Sequence, residues 1–336
     1  MNIKTIFGVL TLAASASLAV EGQWEALPAK APEPADNPST AAKVELGQIL
    51  FMDPRLSSTG TVSCNSCHNV MLGGEDNRPV AMGVNGQTGG RSAPTVWNAA
   101  FNSVQFWDGR APSLEAQAGG PVTNPIEMGM KNWNDVVKRL KAIPGYAELF
   151  NAAFGSGSAI SKENAVKAIA AYERTLITPD SAYDKYVNGD QEAMTEQQVR
   201  GMNKFAGVGC ANCHSGAAFN GTGVFMKFPI YENKVFQSKY QLIKDQGRFE
   251  VTGKAEDKNT WKVPTLRNVA LTAPYFHNGR VATLHRAVEL MAKLQLNQTL
   301  SDSDIADIVA FLNALSGPFP EQRLPELPGT PGSTFN

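Results

Sequence analysis

The spacing of apolar residues predicts helices along much of the chain. In the last one, Ser301 and Asp304 can cap the first turn and Gly317-Pro318 ends the helix, while one face carries Ile305, Ile308, Val309, Leu312 and Leu315. Similar signals predict helices from Ser39 or Thr40 through Phe51, over residues 132–142, 145–154 and 161–176, and from a Thr195/Gln198 capping box through Phe205. A glycine-rich, loop-like stretch runs from beyond His68 to Arg91.

Two of these helices lead into the same short motif, Cys-x-x-Cys-His. The first copy comprises Cys64, Cys67 and His68, and the second comprises Cys210, Cys213 and His214. In an exported protein this motif attaches a c-type haem, because both thiols form thioethers and the histidine becomes the proximal iron ligand. A zinc knuckle would need further Cys or His ligands nearby, and a redox dithiol needs no following histidine. Since the motifs use all four cysteines, the sequence predicts two covalently bound haems.

The N-terminus predicts export. Residues 1–19 combine a basic start, an apolar stretch far shorter than the roughly 20 residues that span a bilayer, and a small-x-small cleavage site, as in a signal peptide. Residues 20–38 are rich in Pro and Ala without periodicity, which predicts an extended leader. No other segment qualifies as a membrane span, and a net charge of −1 gives no electrostatic case for nucleic acid. We therefore expect a periplasmic protein, which agrees with haem attachment after export.

The chain contains an internal repeat. At a constant offset of 170 residues, the segments that follow the two haem motifs share many identical positions. These are Pro94, Thr95, Asn98, Ala100, Phe106, Gly109, Arg110 and Leu114 in the first copy, and Pro264, Thr265, Asn268, Ala270, Phe276, Gly279, Arg280 and Leu284 in the second. Such identity in one ungapped register indicates duplication of a haem-binding unit. At 336 residues the chain is long enough for about two domains.

The two copies differ where a haem iron would receive its second axial ligand. Met291 of the second copy aligns with Pro121 of the first. A thioether can ligate the iron and raise its potential, whereas a prolyl ring cannot ligate. The pattern therefore predicts a closed electron-transfer haem held by His214 and Met291, and an open first haem. The competing interpretation of Met291 is core packing, the commoner fate of a methionine on an apolar helix.

Polar and aromatic residues near Pro121 suggest what an open haem could do. Beside such an iron, Gln117 could position a peroxide and Glu127 could move its proton from the inner to the outer oxygen. On a loop alone, both residue types are more often solvated surface groups. Trp107 of the first copy aligns with His277 of the second. An indole between the haems would assist electron transfer and His277 could bind a propionate, or both could be buried packing residues.

These motifs resemble those of the bacterial dihaem cytochrome c peroxidases. The resemblance rests on residues 65–70, 93–96, 105–110, 124–128 and 271–279, and it covers nearly all of the mature chain. It implies an all-α fold of two cytochrome c-like domains: residues 39–180, with the peroxidatic haem and bridging helices, and residues 181–336, with the electron-accepting haem. It also implies reduction of hydrogen peroxide, a small periplasmic cytochrome c or copper protein (cupredoxin) as electron donor, and a homodimer.

The resemblance also implies roles for single residues. His68 and His214 match the proximal ligands, Met291 the distal ligand and Trp107 the inter-haem indole, and the peroxide pocket comprises Gln117, Pro121 and Glu127. The family holds a calcium ion between its domains through backbone carbonyls that match Thr272 and Pro274. The side-chain ligand of that ion is an Asn in the family, and Ser92 stands at its place here.

One departure from the family bears on mechanism. Typical members carry a His sixteen residues beyond the first haem His, which blocks the peroxidatic iron until the other haem is reduced. Counting from His68 reaches Val84, which cannot ligate. We therefore expect a first haem that is five-coordinate or water-bound without reductive activation, unless Met82 or His285 closes it.

Two other functions share this scaffold. A dihaem oxidase that modifies residues of a partner protein would also lack the labile His, but the methylamine-dehydrogenase maturation enzyme has a Tyr where Met291 stands. A non-enzymatic dihaem electron carrier would need both irons closed, and beyond the proximal ligands only His277 and His285 remain as imidazoles. These two observations favour the peroxidase.

Overall fold

The protein is mostly helical, with little sheet. The computed structural model describes residues 24–157, 160–330 and 332, so the expected signal peptide, residues 1–19, lies outside the described residues. The helices in these ranges are α1 Ala41–Met52, α2 Cys64–Cys67, α3 Leu114–Ala118, α4 Trp133–Lys141, α5 Pro144–Phe154, α6 Lys162–Glu173, α7 Ala182–Val187, α8 Glu196–Gly207, α9 Lys234–Tyr240, α10 Phe249–Thr252, α11 Leu284–Leu296 and α12 Asp302–Ala314.

Shorter elements connect these helices. Single turns of 3₁₀ helix form at Pro54–Leu56, Val84–Gly86, Ala99–Phe101, Pro121–Thr123, Cys210–Asn212, Gly221–Gly223, Ala255–Asp257 and Val269–Leu271. Strands β1, Phe225–Lys227, and β2, Thr260–Lys262, pair antiparallel with Phe225 opposite Lys262. Within the described part of the chain, every helix is too short or too polar to cross a bilayer.

The predicted helix starts are confirmed by their caps. The hydroxyl groups of Thr40, Ser161 and Ser301 each accept a hydrogen bond from a backbone N–H in the first turn, and Thr195 with Gln198 forms a capping box. The helix predicted over 161–176 ends earlier, at Glu173. Beyond this end, the Leu176 carbonyl accepts a hydrogen bond from the Asn98 N–H at 2.8 Å.

The same helix pairing precedes each haem motif. Helix α1, before the first motif, packs on α6, and α8, before the second, packs on α12. Each contact is close because a glycine lies in it: a Cβ atom on Gly47 would lie 1.9 Å from the Ala168 carbonyl oxygen, and one on Gly201 would lie 1.8 Å from that of Asp307. The larger apolar clusters divide the chain into two halves in the same way. Residues within 46–176 of the first half form one cluster, and residues within 183–315 of the second half form two others.

The two copies of the sequence repeat meet at one buried hydroxyl. Asn98 and Asn268, equivalent at the 170-residue offset, both adopt a left-handed backbone, with φ of 63° and 60°. Their side-chain amides both donate to Thr178 Oγ1, at 2.8 Å and 2.9 Å. Phe106 and Phe276 also share a positive φ, of 68° and 70°. The repeat in sequence is therefore a repeat in backbone conformation as well.

Each end of the described chain packs on the half that lies farther from it in the sequence. Residues 24–38, expected as an extended leader, form no helix or strand, and the first of them dock on the second half of the chain. The Leu27 N–H donates to Asp184 Oδ1 at 2.8 Å, and the Trp24 ring contacts Tyr183, Phe219 and Phe311. At the other end, Phe319 packs on the buried Trp97, with ring centroids 4.7 Å apart. The tail thus covers the core of the first half.

Candidate functional site

The first Cys-x-x-Cys-His motif forms helix α2 and the residue after it. His68 Nδ1 lies 2.9 Å from the Pro94 carbonyl oxygen. Because a carbonyl only accepts, Nδ1 carries the proton, and Nε2 keeps its lone pair for a metal. Burial lowers the pKa of His68, which favours the neutral, ligating form. Cys64 and Cys67 are not joined to each other or to any other cysteine.

The second motif has the same arrangement. His214 Nδ1 lies 3.1 Å from the Phe219 carbonyl oxygen, and burial again lowers the pKa of this imidazole. A cavity of about 240 Å³ lies at this second motif, and we name it the second cavity. Cys210, Cys213 and His214 line it together with Met291, which lies on α11. Most of the remaining lining is apolar, including Phe205, Val288 and Leu312. An apolar cavity bordered by two free thiols, an imidazole and a thioether has the donor set of a covalently bound, Met-ligated haem.

His277 lines the same cavity and fits a group that carries acceptors. Its ring stacks on Trp261, with centroids 4.0 Å apart and an interplanar angle of 18°. Its Nε2 is buried and has no hydrogen-bond partner in the described structure. Burial lowers the pKa of His277 to about 4, so the ring is neutral at pH 7. A haem propionate would satisfy this nitrogen, which supports the predicted contact.

Trp107 is held from both halves of the chain. Its Nε1 donates to the Ser92 carbonyl at 2.9 Å, and its own carbonyl accepts from the Lys262 N–H at 2.9 Å. The indole borders the second cavity, 6.4 Å from the His277 ring. One side-chain and one backbone hydrogen bond therefore hold Trp107 between Ser92 and Lys262.

The residues of the predicted peroxide pocket lie on helix α3 and the turns after it, which backbone hydrogen bonds hold in place. Gln117 lies on α3, and its carbonyl accepts from the Gly120 N–H at 3.0 Å. Pro121 begins the next 3₁₀ turn, and its carbonyl accepts from the Met128 N–H at 3.2 Å. Gln117, Pro121 and Glu127 therefore lie in one stretch of helix α3 and the turns that follow it, and their role as a peroxide pocket stays a prediction.

Glu127 lies close to the first haem motif. Burial raises the pKa of the Cys67 thiol to about 11, and the nearby carboxylates of Asp76 and Glu127 add to this shift. The pKa of Glu127 itself is raised by burial, against the opposing charge of Arg110. Its Oε1 accepts from Asn124 Nδ2 at 3.1 Å. A partly buried carboxyl with a raised pKa can both accept and return a proton.

Val84 lies beside Glu127 and is almost fully buried, at 2% exposure. Its N–H donates to the Glu127 carbonyl at 2.9 Å. The loop approaches closely here, because a Cβ atom on Gly83 would lie 2.0 Å from the Ile126 carbonyl oxygen. The position at which the resemblance predicts a labile His therefore carries a packed hydrocarbon side chain.

Met82 and His285, the two alternative ligands considered for the first haem, are both exposed to solvent. Met82 is 40% exposed, and Arg78 Nη1 donates to its sulfur at 3.4 Å. His285 lies on α11 in the second half and is exposed to solvent.

The residues of the expected calcium site border the second cavity. Ser92, Thr272 and Pro274 all line it, and so does Glu75. Glu75 is 2% exposed, and burial raises its pKa to about 8. Among the described residues, no group of three or more His, Cys, Asp or Glu is arranged to hold a metal ion, so side chains of these types do not form a complete cation site there.

Sequence reasoning missed two charged residues at this cavity, Glu75 and Lys262. Both line it and both are buried. A signal for them exists in the sequence: Glu75 directly follows Gly73-Gly74 and Lys262 lies in the run Trp-Lys-Val-Pro, so each is a charge close to a haem motif or to its repeat.

Comparison with known proteins identifies the relatives of this chain. The family model for di-haem cytochrome c peroxidase matches residues 41–192. A cytochrome c551 peroxidase of Nitrosomonas europaea is 42% identical over 327 residues, which cover 97% of this chain and 95% of that protein. The cytochrome c peroxidase Ccp of Escherichia coli is 46% identical over 85% of this chain, which spans 60% of that protein.

A solved structure has a similar fold. The crystal structure of a MauG-like protein associated with microbial copper homeostasis superposes with a TM-score of 0.77 at 30% identity, over 87% of this chain and 95% of that one. Together with the two haem-attachment motifs and the identity over almost the whole length, these matches show that the chain belongs to the di-haem cytochrome c peroxidase family.

Proposed function

We propose that this protein reduces hydrogen peroxide to water at its N-terminal haem, and that this haem is open without reductive activation. The observation that carries the proposal is the position of Val84, buried beside Glu127 where the family's blocking imidazole is expected. A hydrocarbon side chain has no lone pair for iron. The relatives named cytochrome c peroxidases support peroxide as the substrate.

The residues of the first half divide the work at the peroxide. A haem attached to Cys64 and Cys67, with His68 as its ligand, would supply the redox chemistry. The Gln117 amide would orient the peroxide, and Pro121 has no side-chain donor that could ligate an iron. Glu127 would take a proton from one peroxide oxygen and return it to the other, while the bound haem would supply the electrons for reduction to water. The raised pKa of Glu127 suits this return.

The second half delivers electrons. His214 and Met291 line one cavity, which supports a haem closed on both sides that exchanges electrons without binding substrate. Trp107, held by Ser92 and Lys262, lies where electrons would leave this site for the first. We propose residues 39–180 as the peroxidatic domain and residues 181–336 as the electron-transfer domain, in a periplasmic homodimer.

The electron donor is proposed from the same evidence. One relative is named a cytochrome c551 peroxidase, so a small cytochrome c is the favoured donor, with a cupredoxin as the alternative. A calcium ion between the domains would lie where Thr272 and Pro274 border the cavity. Glu75 would add a carboxyl group there, which Ser92 does not.

Electron paramagnetic resonance on the fully oxidised, never-reduced, haem-loaded protein tests the proposal. We expect a high-spin ferric signal that disappears when hydrogen peroxide is added. Two low-spin signals that peroxide leaves unchanged would contradict it. In that case the same spectrum of a Met82→Ala variant would show whether the Met82 thioether closes the iron.

A further inference from the structure

Lys262 is a buried cation without a counter-charge. It lies on β2 at 8% exposure, and across the described ranges its amine makes no hydrogen bond or ion pair. Burial lowers the pKa of Lys262 to about 8, so most molecules still carry the charge at pH 7. A buried ammonium without an opposite charge is costly, because no ion pair compensates for the hydration it loses. A group that binds next to it and carries negative charge would remove that cost.

The second cavity is where such a group binds. Lys262 lines it together with Cys210, His214, Met291 and His277. The backbone of Lys262 is fixed by two contacts, its pairing with Phe225 and the hydrogen bond from its N–H to the Trp107 carbonyl. Lys262 therefore borders this cavity from a backbone that has little freedom to move away.

The other charged groups near this cavity are already accounted for. Arg91 pairs with Asp108 and Asp245, so neither its guanidinium nor these carboxylates are available. His277 is neutral at pH 7 and can donate a hydrogen bond but cannot neutralise a charge. Glu75 has no cationic partner among the described side chains, and it accepts a hydrogen bond from Asn77 Nδ2 at 3.0 Å. Among these groups, Lys262 carries a positive charge that no other described side chain neutralises.

We propose that the Lys262 ammonium binds a propionate of the haem attached at the second motif and thereby raises the reduction potential of that haem. The inference rests on haem attachment at Cys210 and Cys213, but not on peroxidase activity. Ferric haem carries one more positive charge than ferrous haem, so an adjacent cation favours the reduced state. The same cation keeps the propionate ionised, which removes the pH dependence that its protonation would give to the potential.

Three variants test this inference in the full haem-loaded protein. Lys262→Met removes the charge and keeps an apolar chain of similar length, and Lys262→Arg keeps the charge. Lys227→Met is the matched control, because Lys227 is an exposed lysine on the adjacent strand β1. Potentiometric titration followed by haem absorbance, repeated from pH 5 to pH 9, gives the potential of the Met-ligated haem in each protein.

We expect the potential to fall in Lys262→Met and to become pH-dependent, since the unpaired propionate then takes up a proton when the haem is reduced. Lys262→Arg and Lys227→Met should stay close to the unmodified protein. Equal potentials and equal pH dependence in all four proteins would overturn the proposal. If Lys262→Met does not assemble, the unmodified protein alone still tests the proposal. A haem potential that falls steeply between pH 5 and pH 7 would show an unpaired propionate and would overturn the proposal. These readouts do not depend on peroxide turnover, so failure of the proposed function would leave them unchanged.

Discussion

Glu127→Gln isolates the proton transfer from the geometry of the peroxide pocket. Glutamine has the shape of glutamate, and its Oε1 can still accept the hydrogen bond that Asn124 donates at 3.1 Å. The backbone hydrogen bond from Val84 to the residue 127 carbonyl is also kept. What the variant loses is a group that can accept and return a proton. Loss of a positioned general acid–base costs roughly 10²- to 10⁴-fold in rate, or about 2.7–5.4 kcal/mol of transition-state stabilisation.

The stability of the Glu127→Gln variant should change little, and any change should be an increase. Burial raises the pKa of Glu127, so its folded-state pKa lies above the unfolded value and its ionised form is disfavoured in the folded protein. A raised carboxyl pKa costs folding free energy at pH 7, where the unfolded chain is fully ionised. The neutral amide avoids this cost, so the variant should unfold at the same or slightly higher temperature. A large loss of activity would therefore not reflect unfolding.

The assay is rapid-mixing consumption of hydrogen peroxide by the oxidised haem-loaded enzyme as a function of pH. In the unmodified enzyme the rate should fall as pH drops through the raised pKa of Glu127, because the protonated carboxyl cannot act as a base. Glu127→Gln should be slow at every pH and lack this limb. Glu148→Gln, an exposed position on α5, is the control and should match the unmodified enzyme. A Glu127→Gln rate within about threefold of the control would refute a proton-transfer role, since even the low end of the expected effect is about 100-fold.

Three further predictions address the gate, the core and the electron path. Val84→His should restore a blocking ligand, so that oxidised enzyme shows a lag or no peroxide consumption until it is reduced; immediate full turnover would contradict this. Arg267→Met should lower the free energy of unfolding in urea by about 3–5 kcal/mol, because Arg267 and Asp184 form an ion pair with side chains only 0% and 2% exposed. Arg200→Met breaks a largely exposed pair and should cost about 1 kcal/mol or less, so equal costs would refute the distinction. Trp107→Phe should slow electron transfer between the haems in a single-turnover experiment, while peroxide binding to the oxidised enzyme stays unchanged.

Local signals in the sequence determined the parts of this protein that depend on neighbouring residues. A haem-attachment motif needs only its own cysteines and histidine, so both copies were recognisable without a fold. Helix starts were predictable for the same reason, because a cap such as Thr195 bonds a backbone N–H three residues away, at Gln198. The family and its peroxidase relatives agree with what these motifs indicated.

Burial and long-range partners were decided by the tertiary structure. The sequence shows Lys262 only as one more lysine; the fold buries it in the wall of a cavity with no counter-charge. Likewise, the residues expected as an extended leader dock through Leu27 on Asp184, 157 positions away. The hydrogen bonds of Trp107 to Ser92 and Lys262 also link residues that are far apart in the chain. The physical reason is that the energy of a charge or a hydrogen bond depends on the dielectric and on the partners around it. Those surroundings come from residues far apart in the chain, and they exist only once the helices have packed.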